Sequence, residues 1–252
     1  MSPKIHVVWC HSRLVRCQMS FTKKSFLLST LLLSACIQKG PNPVDPYEQS
    51  NRKIHAFNLV FDKLVLKPPA KLYTAIVPPP IRKGINNVYR NINLCPTIAN
   101  DLLQADFTQT FKDTWRLIIN SSLGIGGIFD PASTCQLPAH TNDLGLTFAK
   151  WGDKSSPFVI IPFLGPSTIR DGMGMLFDTL LTPYFYIPQD ATIYGILALR
   201  YVDLRSQLFD TEKLMEQSLD QYAFLRDAYL QNRNYLITGK QENASESLYV
   251  AE

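Results

Sequence analysis

The 252-residue chain is short of the residues that most chemistry needs. Four histidines and five cysteines occur in all, and His6, His11, Cys10 and Cys17 fall within the first 17 residues. Beyond Cys36 only Cys95, Cys135, His55 and His140 remain, and no Cys/His pair has metal-ligand spacing, so no metal and no cofactor are expected. A Gly-x-Ser-x-Gly elbow is missing. The glycines at 124, 126 and 127 are not followed by Gly-Lys-Ser/Thr, which leaves them as a helix stop rather than a phosphate cradle. Ser121-Ser122 ends a helix as readily as it makes a nucleophile turn, and the reading is that the protein is not an enzyme. No Lys/Arg block occurs, which removes the electrostatic footprint of a nucleic-acid binder. After residue 36 no apolar run approaches the roughly 18 residues of a spanning helix; Phe158-Val159-Ile160-Ile161 is stopped at once by Pro162.

Acidic residues are absent from residues 1–35, and what is there is a signal. Met19 opens a stretch with Lys23-Lys24, followed by a Leu-rich core over 25–33 and then Leu33-Ser34-Ala35-Cys36. Charged start, apolar core and small residues before the cut are the layout of a secretory signal, and a cut site ending in Cys is a lipobox. Cleavage before Cys36 would leave a thiol carrying diacylglycerol and an amine carrying a further acyl chain (palmitate is the common one). Each acyl chain stabilises its insertion by ~0.8 kcal/mol per buried CH₂, so several make a durable anchor. Ile37, rather than Asp, after the lipidated cysteine permits passage to the outer membrane in Gram-negative bacteria that sort lipoproteins on that residue. Residues 1–18 fit no part of the signal and read as a spurious extension, with 19–35 as the signal peptide.

Five of the 25 basic residues lie in the removed segment, leaving 20 against 21 acidic ones in a nearly neutral mature chain. Adsorption to anionic lipid by charge alone is therefore not expected; contact with a membrane beyond the anchor must be apolar. Cys95 and Cys135 could close one disulfide across 40 residues, stabilising by roughly 3–4 kcal/mol, or remain two buried thiols. Their Cα separation decides between these, and sequence does not give it.

Residues 36–44 read as a tether, 45–240 as one folded domain and 241–252 as a polar tail. Helix is the dominant signal. Asp45-Pro46-Tyr47-Glu48 has an N-cap, a first-position proline and a Glu three residues on, and Ile54, Phe57, Phe61 and Leu64 follow on one face. Lys67-Pro68-Pro69 is expected to end that helix, and Pro78-Pro79-Pro80 to form a stiff connector. A single long helix is expected from about 96 to Ser121, with Leu103, Phe107, Phe111 and Trp115 as an aromatic ladder. The ladder reads as core; a face lying in a bilayer interface has the same periodicity. Asp143 caps a helix stopped by Gly152, Thr168 caps another running to Leu181, and a last helix is expected over about 210–236. Strand signals are too few to propose a sheet. His55 reads as a satisfied structural histidine, and Asp101 with Asp106 as solvated helix charges.

Several motifs in fixed order carry a resemblance. They are Asp45-Pro46-x-Glu48-x-x-Asn51-Arg52, Phe57-Asn58, Lys67-Pro68 and Asn100-Asp101-Leu102-Leu103-Gln104. The most specific is Arg116-x-x-Ile119-Asn120-Ser121-x-x-Gly124-x-x-Gly127-x-Phe129-Asp130. Trp151-Gly152, Leu164-Gly165-Pro166-Ser167-Thr168-x-Arg170-Asp171-Gly172 and Arg226-x-Ala228-Tyr229 complete the set. Together they resemble the MlaA (VacJ) outer-membrane lipoproteins over about 45–239.

The resemblance implies an all-α, ring-shaped domain embedded in the periplasmic leaflet, with a central amphipathic channel. Its implied function is to remove phospholipid that has strayed into the outer leaflet, preserving lipid asymmetry, and to pass it to a soluble MlaC-like periplasmic carrier. A trimeric outer-membrane porin is the implied partner and phospholipid the transported ligand. The alternative is an anchored protein that braces porins or the envelope without passing lipid. Phe57 and Asn58 match a pair that keeps the channel from opening to the wrong leaflet. The loop Trp151-Gly152-Asp153-Lys154-Ser155-Ser156 matches a gating loop that is commonly glycine-rich; here it has one glycine, and Ser155-Ser156 stand where more freedom is usual. Arg170-Asp171 can pair structurally or face a headgroup. Cys95 and Cys135 are not family hallmarks.

Overall fold

A computed structural model of the chain describes residues 40–188 and 190–239; the signal, Cys36 and the tail lie outside them. The expected all-α class holds. Among the described residues, eleven α-helices are joined by a π-helical turn, a short 3₁₀ turn and one two-stranded hairpin. Helix α1 (Glu48–Phe61) runs through the π turn (Asp62–Leu66) into α2 (Lys67–Ile76), so Pro68 and Pro69 do not end it. Prolines lack the N–H that an interior helical turn uses and clash with the carbonyl four residues back. The wider π turn puts Lys67 N–H on Asp62 O and delivers both prolines to the opening of α2, where neither defect matters. Pro78 likewise precedes a helix, α3 (Pro79–Ile92), rather than forming a connector.

The long helix expected after 96 is two helices, α4 (Leu94–Leu103) and α5 (Phe107–Ser122). Ala105 adopts φ 57° between them and Asp106 caps α5 by accepting from Gln109 N. A four-residue helix, α6 (Pro131–Thr134), precedes α7 (Leu144–Trp151), which is capped by Asp143 and stopped at Gly152, φ 130°, as read from the sequence. Strands β1 (Phe158–Ile161) and β2 (Gly165–Thr168) pair antiparallel with Phe158 opposite Thr168 and Ile161 opposite Gly165, which corrects the expectation of no sheet. Thr168 accepts from Asp171 N at the start of α8 (Ile169–Leu181), as its spacing predicted. Helix α9 (Ala191–Gln207), capped by Asp190, went unread in the sequence. The final helix is divided into α10 (Phe209–Glu216) and α11 (Gln221–Thr238), because Asp220 turns the chain and caps the second.

The N-terminal segment is not a free tether up to 44. Val44 O accepts from Phe158 N, and Asp45 is not an N-cap: it is buried, accepting from Asn51 Nδ2 and from the Tyr222 hydroxyl. A small apolar core gathers there, with Phe158, Ile160 and Tyr222 packed against Ile54, Tyr229 and Leu230.

The interior is otherwise polar. Among the described residues, twelve apolar side chains are buried against twenty polar or charged ones. The aromatic ladder expected as core faces outward: Phe107 is 70 % exposed, Phe111 65 % and Trp115 44 %. Leu123, Ile125 and Phe129 in the following loop, and Met173, Leu176 and Phe177 on α8, are exposed too. No helix among the described residues is long and apolar enough to cross a membrane.

Candidate functional site

The hairpin and the loop before it collect the residues singled out by sequence. Asn51 and Asn58 stand seven apart on α1, two turns along one face. Asn51 Nδ2 donates to Phe158 O and its Oδ1 accepts from Ile160 N, so one amide reads the edge of β1 as a neighbouring strand would. Asn58 does the same at the turn, Nδ2 donating to Ile161 O (3.0 Å) and Oδ1 accepting from Phe163 N (2.8 Å). Phe163 takes φ 66°, a left-handed conformation uncommon for a large side chain. Its ring meets Phe57 at 5.2 Å and Phe61 at 4.8 Å, both edge-on. Phe57, Phe163 and Leu164 are about half exposed, an apolar knob on a hydrogen-bonded base.

The loop from Trp151 to Ser156 is tied elsewhere. Trp151 Nε1 donates to Leu103 O, and Asp153 N to Phe148 O. Arg170, 5 % exposed, donates Nη1 to Asp153 O and, more weakly, to Lys154 O, while its backbone N–H reaches Ser156 Oγ. Arg170 Nε also holds Asp171 Oδ1, so the Arg170-Asp171 pair lies inside the protein as a brace for this loop. Asp171 in turn accepts from Arg233 (2.7 Å) and Tyr229, and Arg233 forks onto both oxygens of Asp143. Burial alone would raise the Asp171 carboxyl; Arg233, Arg170 and Tyr229 outweigh it and hold the group below the usual carboxylate range. Gly145 is required here, since a Cβ would lie 2.3 Å from Asp171 Oδ1. Gly165, Pro166 and Ser167 lie in β2, paired with β1.

The most specific motif is a second lock. Arg116 donates to Asp130 Oδ2 (2.6 Å), Ser133 Oγ and Leu137 O; Asn120 donates to Asp130 Oδ1 and accepts from Ala132 N. Asp130 is held below its ordinary range because Ser133, Arg116 and Asn120 together outweigh its burial. Gly124 sits where a Cβ would come within 2.4 Å of Asn120 O, and Gly127 (φ 91°) lies against Asn91, whose Nδ2 donates to Ser121 Oγ. Near the N-terminus, Arg52 bridges Glu48 and Asp220, and the Asp220 carboxyl is drawn down to about 2, first by the Arg52 hydrogen bond. Pro46 O receives Gly40 N.

Of the two alternatives left open for the cysteines, the structure has the free thiols, Cys95 half-buried inside α4 and Cys135 after α6 but exposed rather than buried. Two expectations are corrected. His55 is buried against Tyr222 but its Nε2 has no partner, and burial lowers its pKa. Asp101 is not a solvated charge; it is 1 % exposed beside Asp113 (0 %) and His140. Asn100 is equally interior, bonded to Asp178 and Thr147.

Sequence reasoning missed Phe163, Arg233, Asp113 and His140. Each acts across more than 20 residues of chain, where periodicity carries no signal. Beside His140 lies a polar cavity of about 160 Å³, lined among others by Arg90, Arg116 and Arg200. Cys36 and its lipid lie outside the described residues.

Comparison with known proteins fits this architecture. A Rickettsia bellii protein, described only as uncharacterized, is 35 % identical over 191 residues, 75 % of each chain. The intermembrane phospholipid transport system lipoprotein MlaA of Escherichia coli is 29 % identical over 236 residues, 91 % of this chain and 94 % of that one. A solved structure reported for the "structural basis for maintenance of bacterial outer membrane lipid asymmetry" superposes with a TM-score of 0.68 at 31 % identity, covering 77 % of this chain and 99 % of the other. The family model described as MlaA lipoprotein matches residues 43–236, and on that span the chain belongs to the MlaA lipoprotein family.

Proposed function

We propose that this protein works in intermembrane phospholipid transport at the outer membrane, taking misplaced phospholipid from the outer leaflet and maintaining lipid asymmetry. The observation that carries the reading is the inverted distribution of polarity. A water-soluble domain of this size rarely leaves a continuous apolar surface open; here apolar side chains face outward on most of the long helices while the charges are paired inside. Such a body is stable where hydrocarbon replaces water outside, and with no helix among the described residues long and apolar enough to cross, it rests in one leaflet. Lipidation at Cys36 would hold it in the periplasmic leaflet.

In this reading the helices surround a central amphipathic channel. The Phe57–Asn58–Phe163 knob and the 151–156 loop control which leaflet it opens to, a soluble periplasmic carrier receives the lipid, and a trimeric porin holds the assembly. No step requires a nucleophile. The test is outer-leaflet phospholipid in intact cells lacking the gene, complemented with wild type or with Phe57 and Asn58 deleted. Surface phospholipid should rise in the null and fall with wild type, and the deletion should produce its own lipid leak. An unchanged surface in the null, in a strain without a second clearance route, would leave an anchored brace as the function.

A further inference from the structure

We infer that Asp101, Asp113 and His140 form a binding site for one divalent cation, best suited to Zn²⁺, that staples α4, α5 and the 135–143 segment together. One ligand atom from each residue lies within 4.8 Å of the other two. His140 Nδ1 is 2.8 Å from Asp113 Oδ2 and 3.8 Å from Asp101 Oδ1, separations that close around an ion holding ligands at about 2.0–2.2 Å with small side-chain movements.

The second observation is independent of the cluster's composition. Asp101 and Asp113 are 1 % and 0 % exposed, and each keeps one fully buried carboxylate oxygen, Asp101 Oδ2 and Asp113 Oδ1, that no fixed donor reaches. The other oxygens are held by neutral amides, Asn142 Nδ2 on Asp101 and Gln109 Nε2 on Asp113, which orient the carboxylates without neutralising them. Two buried carboxylates side by side need a positive charge or a proton between them. Neither Lys nor Arg pairs with either one among the described residues; His140 is the only basic partner.

Two carboxylates and one imidazole bring two negative charges, which a divalent ion cancels. One nitrogen and two oxygens suit zinc, whereas calcium takes six to eight oxygens and magnesium keeps a near-octahedral shell of them. His140 is one-third exposed and borders the polar cavity, which gives the ion an entry path and a water for its fourth position. The sequence hid this site because its ligands come from three segments with no shared spacing. It uses none of the residues of the hairpin and loop assigned to lipid handling, so it stands or falls separately from that reading.

The test uses the full-length protein in detergent, stripped with EDTA and titrated with ZnCl₂ by calorimetry and with CoCl₂ by visible absorption. One equivalent should bind, Co²⁺ should give the d–d bands of a low-coordinate N/O site, and the melting temperature should rise. Asp113→Asn and His140→Gln should each weaken binding at least tenfold, while Cys135→Ser leaves it unchanged. His140→Gln decides the matter if Asp113→Asn fails to fold, because this side chain is 35 % exposed and glutamine can still donate to Asp113. Failure to bind a stoichiometric ion, or binding unaffected by both ligand variants, would overturn the assignment and leave a shared proton as what joins the carboxylates.

Discussion

Asn58→Ala isolates the contact between α1 and the hairpin turn. The substitution removes two hydrogen bonds, the 3.0 Å donation to Ile161 O and the 2.8 Å acceptance from Phe163 N, without touching the Phe57 and Phe61 contacts. Each intramolecular hydrogen bond is worth about 0.5–1.5 kcal/mol net, so the docked turn should lose roughly 1–3 kcal/mol. At 1.4 kcal/mol per factor of ten, the open population should rise about 5- to 150-fold. The residue whose conformation suffers first is Phe163, since φ 66° is tolerable only while its neighbours hold it.

Hydrogen exchange on the detergent-solubilised protein reads this directly. Exchange at the Phe163 and Leu164 amides should accelerate by that factor, while amides in α5 and α9 keep their rates. Asn58→Asp should be at least as damaging, because a carboxylate still accepts from Phe163 N but meets the Ile161 carbonyl with like charge. Equal exchange in wild type and Asn58→Ala would refute the clamp and reduce Asn58 to a surface residue.

Three further outcomes follow from the interior. Arg233→Met would strip the fork from the part-exposed Asp143 and one of two guanidinium partners from the buried Asp171, which keeps Arg170, and should cost about 3 kcal/mol in denaturant unfolding, the low end for a broken buried pair. Gly127→Ala should cost roughly 1–3 kcal/mol, because φ 91° is strained for alanine and the new Cβ would lie 2.7 Å from Asn91 Cβ; a melting temperature equal to wild type would contradict it. On acidification, Asp171 and Asp130 have folded-state pKa values depressed below the unfolded carboxylate value near 3.9. Their contribution is therefore complete above that value and is lost as pH falls through the depressed folded values, so the melting temperature should drop steeply below about pH 4 and less steeply in Arg233→Met.

Local chemistry was legible wherever a side chain caps its own helix. Asp143, Thr168 and Gly152 act within three or four residues of themselves, and the sequence shows both partners at once. The break at Ala105 gave no such notice, because alanine has no preference for positive φ; Asp106 behind it is the only local trace. Pro68 and Pro69 misled for the opposite reason: a proline forbids one hydrogen bond, and a π turn supplies a backbone that does not need it. The ladder Phe107–Phe111–Trp115 had the right period and the wrong side, since periodicity locates an apolar stripe but not the medium it meets. Motif residues such as Arg116 and Asp130 could be flagged in sequence, but their role as a lock closes across 14 residues of chain that only the fold brings together.

The polar interior also sets what substitutions this protein can absorb over time. A hydrogen bond is directional, so an inward-facing Asn51, Asn58 or Arg233 can be exchanged for almost nothing of similar size without stranding its partners. Outward positions such as Phe107, Leu123 or Leu176 answer only to hydropathy, and any bulky apolar residue serves there. Drift should therefore run opposite to that of an aqueous enzyme: identity is pinned at polar positions inside, while the apolar exterior wanders freely among interchangeable side chains.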